Sequence, residues 1–315
     1  MEVVMKRLVS TVNLQKAEWL RYRKQGLTGT DAGAITGMNP YVSAFQIYQD
    51  KISDEIEERD NESMRQGRDL EEYVARRFTE ETGKKVRNAN AIYQSEEYPF
   101  MLADFDRLIV GEKSGLECKT VNAYSADKWK DGEIPLHYQM QVQHYLAVSG
   151  YDSWYIAALI FGKEFLIRKI ERDEELIQNL ITIEKRFWGQ NVLARVAPQP
   201  DGSKAYSDML GKLYTGDKNQ SVQLFGIQEE LKRRDEIEEL LEKLNQEKTV
   251  IEQNIKVQMK DAVYAESGDY AISWVPSVQH RIDTTRLKEE QPEVYRKYLK
   301  DISSRRFQVK YKPAA

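Results

Sequence analysis

The stretch Leu102–Thr120, LADFDRLIVGEKSGLECKT, constrains the fold more than any other part of the chain. It reads as two strands around a tight turn, with Gly111 and Gly115 marking the reversal. Asp106 is placed at the end of the first strand, and Glu117 and Lys119 stand two apart on the second. Period-two geometry sends Glu117 and Lys119 to one face and Cys118 to the other. A chain containing this hairpin needs further strands beside it and helices to cover it.

The flanking sequence supplies both. Residues 17–26 read as a basic helix end closed by Gly26. Thr28 and Asp31 have the spacing of a capping box, opening a short helix that stops at Gly37. Ser43 begins another helix, and 63–82 forms a strongly amphipathic one with Leu70, Val74 and Phe78 inward, stopped by Gly83. Strands are expected at 85–95, 101–111, 114–121, 153–161 and 164–171, and helices after Pro135 to Gly150 and over 172–195. That order predicts a mixed α/β core. A Pro/Gly/Asp/Ser-rich linker over 199–221 divides a first domain, 1–198, from a C-terminal region, 222–315. The latter carries a long charged helix over 222–263, a β-like stretch YAISWV and a basic ending with Arg305, Arg306, Lys310 and Lys312. The helix suits a hairpin arm or a subunit contact, and the basic ending a DNA contact.

Several function classes drop out. One cysteine in 315 residues excludes an internal disulfide framework and a Cys-rich zinc site, and fits a reducing cytoplasm. No run of about 18 apolar residues is present, so no membrane association is expected; nor does the N-terminus have a signal peptide's apolar core. His137, His144 and His280 lack zinc-ligand spacing, although His137 suits the cleft. There is no phosphate loop and hence no ATP-driven motor. The net charge of −4 does not oppose nucleic-acid binding, since an acidic metal site lowers the total while basic residues line one groove.

Two carboxylates from adjacent strands make a hard oxygen site suited to Mg²⁺ or Mn²⁺. A lysine beside it can orient or deprotonate a water whose pKa the cation depresses. The bland alternative is a turn aspartate beside a solvated Glu–Lys edge pair. Gln141 and Tyr145 share a helix face one turn apart, with Gln139 and Gln143 as competing glutamines. Thr30 stands at a helix start, where free N–H groups favour an anion, and Arg23 can reach the same place. Helix capping alone would also account for Thr28 and Thr30.

The hairpin pattern D-x(n)-E-x-K resembles the PD-(D/E)xK nuclease signature. Over residues 20–170, the segments RYRKQGLTGTDAGAITGMNPY, QGRDLEEYVARRF, LADFDRL, GLECKT and HYQMQVQHYLAV, in that order, resemble the YqaJ family of viral recombinases, relatives of phage lambda exonuclease. The resemblance implies a restriction-endonuclease-like mixed sheet flanked by helices. It implies a metal site of Asp106, Glu117 and the helix residue Glu71, with Glu72 as its neighbour. Because DFDR stands where a plain PD would, Asp104 is the second candidate for Asp106. Lys119 and Gln141 take catalytic roles, Tyr145 stands nearby, and Arg23 and Thr30 hold a terminal 5′-phosphate. The implied activity is 5′-to-3′ digestion of one strand at double-stranded DNA ends, leaving 3′ tails. A ring-shaped homo-oligomer and a RecT-type single-strand annealing partner complete the expectation.

Overall fold

A computed structural model describes residues 5–311 except 57, 59, 217–218 and 302–304. Lys312 of the basic ending, and part of Asp54–Asn61, which reads from sequence as an acidic surface connection, therefore lie outside the described residues. The chain forms two compact units, Met1–Tyr214 and Thr215–Ala315.

In the first unit the order is β1 (Met5–Ser10), α1 (Lys16–Arg23), α2 (Gly29–Ile35), α3 (Ala44–Ile52), α4 (Glu62–Thr82), β2 (Val86–Asn88), β3 (Ala91–Ser95), β4 (Leu102–Ala103), β5 (Arg107–Ile109) and β6 (Ser114–Val121). A 3-10 segment, Ala123–Gly132, leads to α5 (Leu136–Ser149), β7 (Ser153–Ile160), β8 (Glu164–Glu171), α6 (Glu174–Arg186), a π-helical turn at Phe187–Leu193, and α7 (Lys204–Leu213). The main sheet has the order β2-β5-β6-β7-β8, antiparallel except for the β6–β7 pair. The parallel pair requires a crossover, and α5 provides it. A second, antiparallel sheet has the order β1-β3-β4.

The expected mixed α/β architecture is present, with the five-stranded sheet covered by helices. On one face α4 packs Val74, Ala75 and Phe78 against Ile109, Leu116 and Ala157. Burying a side chain such as Val74 or Phe78 contributes about 2 kcal/mol. On the other, Val142, Tyr145 and Leu146 of α5 meet Phe105, Leu108 and Trp154, with Ile177 and Ile181 of α6 in the same cluster.

Several details differ from the sequence expectation, among them the long helix expected over 222–263, which spans Gln228–Met259. The strands 85–95 and 101–111 are each split between the two sheets. Asn90 adopts φ 52° between β2 and β3, and 104–106 is irregular between β4 and β5. Gly115 lies inside β6, not in the turn: a Cβ there would stand 2.1 Å from Cζ2 of buried Trp154. Gly111, at φ 84°, serves the turn. Finally, the stretch expected as a linker contains α7, whose Tyr206 stacks on Phe45 of α3 at 4.5 Å and joins the core. Polar and glycine-rich flanks concealed that apolar anchor.

The second unit holds α8 (Gln228–Met259), the hairpin β9 (Tyr264–Ser267) and β10 (Tyr270–Ser273), α9 (Thr284–Glu290) and α10 (Pro292–Tyr298). Among the described residues no helix is long and apolar enough to cross a membrane.

Candidate active site

The β5–β6 register pairs Arg107 with Leu116 and Leu108 with Gly115, so one step further brings Asp106 opposite Glu117. Asp106 precedes β5 where the sequence suggested the end of a strand. Its Oδ2 accepts the Cys118 N–H at 2.8 Å, which fixes the carboxylate at the strand entrance. As expected from the pleat, Glu117 and Lys119 share a face: Lys119 Nζ donates to Glu117 Oε1 at 2.6 Å. Cys118 packs on the opposite face beside the α4 cluster.

Helix α5 closes the group from above. Gln141 donates from Nε2 to Glu117 Oε1 at 2.6 Å and to Tyr145 Oη at 2.8 Å, while its Oε1 accepts from Lys119 Nζ at 3.1 Å. The competing glutamines are occupied elsewhere. Gln139 donates to the Ile134 carbonyl, and Gln143 bridges the Glu171 carbonyl and the Asp173 N–H. Gly29 of α2 permits this closure, since a Cβ there would come within 2.5 Å of the Tyr145 ring.

This cluster is charged and partly buried: Glu117 and Gln141 are buried, while Asp106 and Lys119 keep some exposure. Burial and then the charges of Glu117 and Glu71 push the Asp106 carboxyl well above its usual range, against the opposing pull of Lys119. Burial disfavours the Lys119 ammonium, but Glu117, Tyr138 and Asp106 outweigh it and hold the lysine protonated. Without a bound cation Lys119 is therefore a donor, suited to orienting a water or a phosphate oxygen. Burial, followed by the charges of Glu117, Asp104 and Asp106, also raises Tyr145 well above the phenol range.

The second aspartate has a different partner. Asp104 Oδ2 accepts from Arg23 Nη1 at 2.5 Å, and Arg23 Nη2 donates to Thr28 Oγ1 at 2.9 Å and Thr30 Oγ1 at 2.8 Å. The structure thus brings Arg23 and Thr30 together. It holds them rigidly too: Asp31 accepts the Thr28 N–H at 2.9 Å and pairs with Lys51 of α3 at 2.8 Å. Trp19 covers the guanidinium with its ring centroid 4.5 Å away.

Glu71 of α4 is ion-paired to Arg107, which also holds Glu72 at 2.9 Å. Glu71 nevertheless borders the same cavity of about 280 Å³ as Trp19, Asp104 and Asp106. Sequence reading missed Arg107. Its signal was available, because alternation turns it away from Asp106 toward α4, where GRDLEEY presents two glutamates.

Among the described residues no three His, Cys, Asp or Glu side chains are gathered closely enough to hold an ion. Even so, the donor chemistry suits a hard divalent cation. Glu117 Oε2 is buried without a hydrogen-bond partner, and the neighbouring Asp106 is destabilised by like charge. A buried acceptor without a partner costs about 1–3 kcal/mol, which ligation would offset. Glu71 is withheld from such a set by Arg107.

Comparisons with known proteins agree with the chain's own pattern. Residues 18–152 match the YqaJ-like viral recombinase domain. The uncharacterized protein YqaJ of Bacillus subtilis (strain 168) is 41% identical over 308 residues, covering 96% of this chain and 97% of that protein. Among solved structures, LHK-Exo in complex with dAMP is 21% identical with a TM-score of 0.49, covering 57% of this chain and 93% of its own. The alkaline exonuclease LHK-Exo from Laribacter hongkongensis is 19% identical with a TM-score of 0.48, covering 62% of this chain and 99% of its own. Sustained along almost the entire sequence, the identity to YqaJ means that this chain belongs to the YqaJ family of viral-recombinase-like proteins.

Proposed function

We propose that this protein is a Mg²⁺- or Mn²⁺-dependent deoxyribonuclease that digests one strand from a double-stranded end in the 5′-to-3′ direction. The observation that carries the reading is the closed group of Asp106, Glu117, Lys119 and Gln141, with one buried carboxylate oxygen of Glu117 lacking a partner. Asp106 and Glu117 would hold the ion, with Glu71 as the third candidate once it leaves Arg107. The cation supplies charge neutralisation at the phosphate and lowers the pKa of a bound water. Lys119, as an ammonium, donates to an oxygen of the reacting group. Gln141 fixes both Glu117 and Lys119, so its loss would loosen two catalytic positions at once.

Arg23 and Thr30 form the candidate seat for a terminal 5′-phosphate. A guanidinium with hydroxyls in a fixed cluster is suited to charge-assisted contacts with phosphate oxygens. Such a seat would restrict the enzyme to ends. Digestion from a 5′ end leaves a 3′ single strand, the substrate of a RecT-type annealing protein, which is the proposed partner. A ring-shaped homo-oligomer around DNA and a cytoplasmic setting belong to the same reading.

The test is digestion of linear and covalently closed duplex DNA with Mg²⁺, using 5′-phosphate and 5′-hydroxyl ends. We expect nucleotide release from linear DNA only, faster from 5′-phosphate ends, and abolished in Lys119→Ala. Cutting of closed circles would replace the exonuclease reading with an endonuclease. Binding of linear DNA without degradation would leave a non-catalytic DNA-binding protein.

A further inference from the structure

A row of rings leads from the candidate active site to the surface. Lys119 Nζ stands 4.7 Å from the centroid of the Tyr138 ring, and the His137 and Tyr138 rings are 4.0 Å apart. Tyr41 meets His137 edge-on, with centroids 6.3 Å apart and planes at 87°. Lys128 Nζ lies 5.8 Å from the Tyr41 centroid. Three rings thus run between two lysines.

The row is assembled from three separate parts of the chain. Gly33 of α2 makes the close approach possible, because a Cβ there would come within 2.9 Å of His137. Beyond α2, Asn39 Oδ1 accepts the Tyr41 N–H at 2.8 Å and the Val42 N–H at 3.2 Å, which fixes the loop. Lys128 comes from the 3-10 segment, where Asp127 is taken by Lys130 at 2.6 Å. Burial and the charges of Lys119 and Lys128 lower the His137 pKa to about 4, so its ring is neutral near pH 7.

Tyr41 is 64% exposed, although tyrosine rings are usually at least partly covered. Core packing therefore does not explain its fixed loop. We propose that Tyr41 and His137, with Lys128 beside them and the core-packed Tyr138 ring joining them to Lys119, form a stacking track for the bases of the single DNA strand that enters the site. Bases stack on aromatic faces without regard to sequence, and lysines alongside attract the phosphates. Charge complementarity and continuity with Lys119 select a nucleic-acid strand as the occupant. The inference rests on the nuclease reading for its substrate.

The experiment measures fluorescence anisotropy of a labelled, 5′-phosphorylated, phosphorothioate-linked single strand with Mg²⁺ and full-length protein. Tyr41→Ala is expected to weaken binding on the order of tenfold, the effect of losing one stacked base. Tyr41→Trp should bind within about twofold of wild type, since the indole keeps the stack. On a strand of abasic sites, wild type and Tyr41→Ala should bind equally. Equal binding of the normal strand by wild type and Tyr41→Ala would overturn the track, as would an identical loss on the abasic strand. If wild type digests duplex ends in either case, only the track fails. If wild type neither binds strands nor digests DNA, the nuclease reading fails and takes the track with it.

Discussion

Asp106 is half-buried at the edge of the cavity, where desolvation and the negative charges of Glu117 and Glu71 oppose its ionisation. A carboxyl whose folded pKa is raised contributes stability below its ordinary pKa, near 4, and that contribution is lost as pH rises through the higher folded value. Above its ordinary pKa and without metal, Asp106 therefore works against folding. Asp106→Asn keeps an oxygen for the Cys118 N–H and removes the charge. Its melting temperature in EDTA should exceed that of wild type by about 2–4 °C, the shift for about 1 kcal/mol in a domain of this size. Mg²⁺ should then stabilise wild type, by about 2.7 kcal/mol at a hundredfold excess over its Kd, and leave Asp106→Asn unmoved. Scanning fluorimetry with EDTA and with Mg²⁺ checks both arms. A wild-type melt indifferent to Mg²⁺ and Mn²⁺ would remove Asp106 and Glu117 as ligands. At this scale the sequence was informative: D-x(n)-E-x-K placed Asp106, Glu117 and Lys119 because strand pairing is local. Hairpin spacing favoured Asp106 over Asp104, but the different partners of the two were not legible. Their difference depends on Arg23, 81 positions from Asp104, and on a register that only the folded hairpin shows.

Elements are held in place by a few close approaches. Gly115 of β6 lies beneath Trp154 of β7, and a methyl group there would overlap the indole. Gly115→Ala should destabilise the first unit by about 3 kcal/mol, the upper end of ordinary overpacking. Gly111→Ala, strained only by its positive φ, should lose about 1–2 kcal/mol. Urea midpoints should rank the two in that order. Helix α5 is tied down through His144, whose Nδ1 lies 2.8 Å from Glu184 of α6 and whose Nε2 lies 2.8 Å from the Leu102 carbonyl of β4. Burial lowers the His144 pKa, but Glu184 and the Leu102 carbonyl outweigh it, so the net shift is upward. The resulting stability is fully present below about pH 6.5 and is lost as pH rises through the higher folded value. His144→Gln should melt below wild type at pH 6, and the gap should narrow toward pH 9. A gap that stays constant would mean that the His144 pKa is not raised in the fold, and one that widens toward pH 9 that its ring is kept neutral there. Helices α4 and α5 were legible because apolar spacing and terminal glycines mark them. The division of two strands between sheets was not, since Asn90 alone signals the first break and no glycine or proline marks the second.

At the scale of the whole molecule, the two units differ in what supports them. The first has several apolar clusters, including one closed by Tyr206 of α7, so its boundary falls after the expected 198. Among the described residues of the second unit, Met259 is the one hydrophobic residue in the buried core. Along α8, Ile237, Leu240, Leu241, Leu244 and Ile251 are 42% to 60% exposed. Ion pairs such as Arg233–Glu236 and Arg286–Glu290 lie on exposed surface, where each contributes at most about 1 kcal/mol. Composition did not reveal this difference, because charged helices and an apolar hairpin occur equally in cored domains; the contrast lies in burial. A fragment of residues 1–214 should therefore unfold in one sharp transition, with cooperativity from its own core. A fragment of residues 215–315, held dilute enough to remain monomeric, should lose helicity gradually, as an isolated helix does. Circular dichroism melts of both fragments decide the matter. A sharp, concentration-independent transition in 215–315 would show that it folds on interactions other than apolar burial. A transition that sharpens with concentration would show that self-association covers the apolar residues of α8.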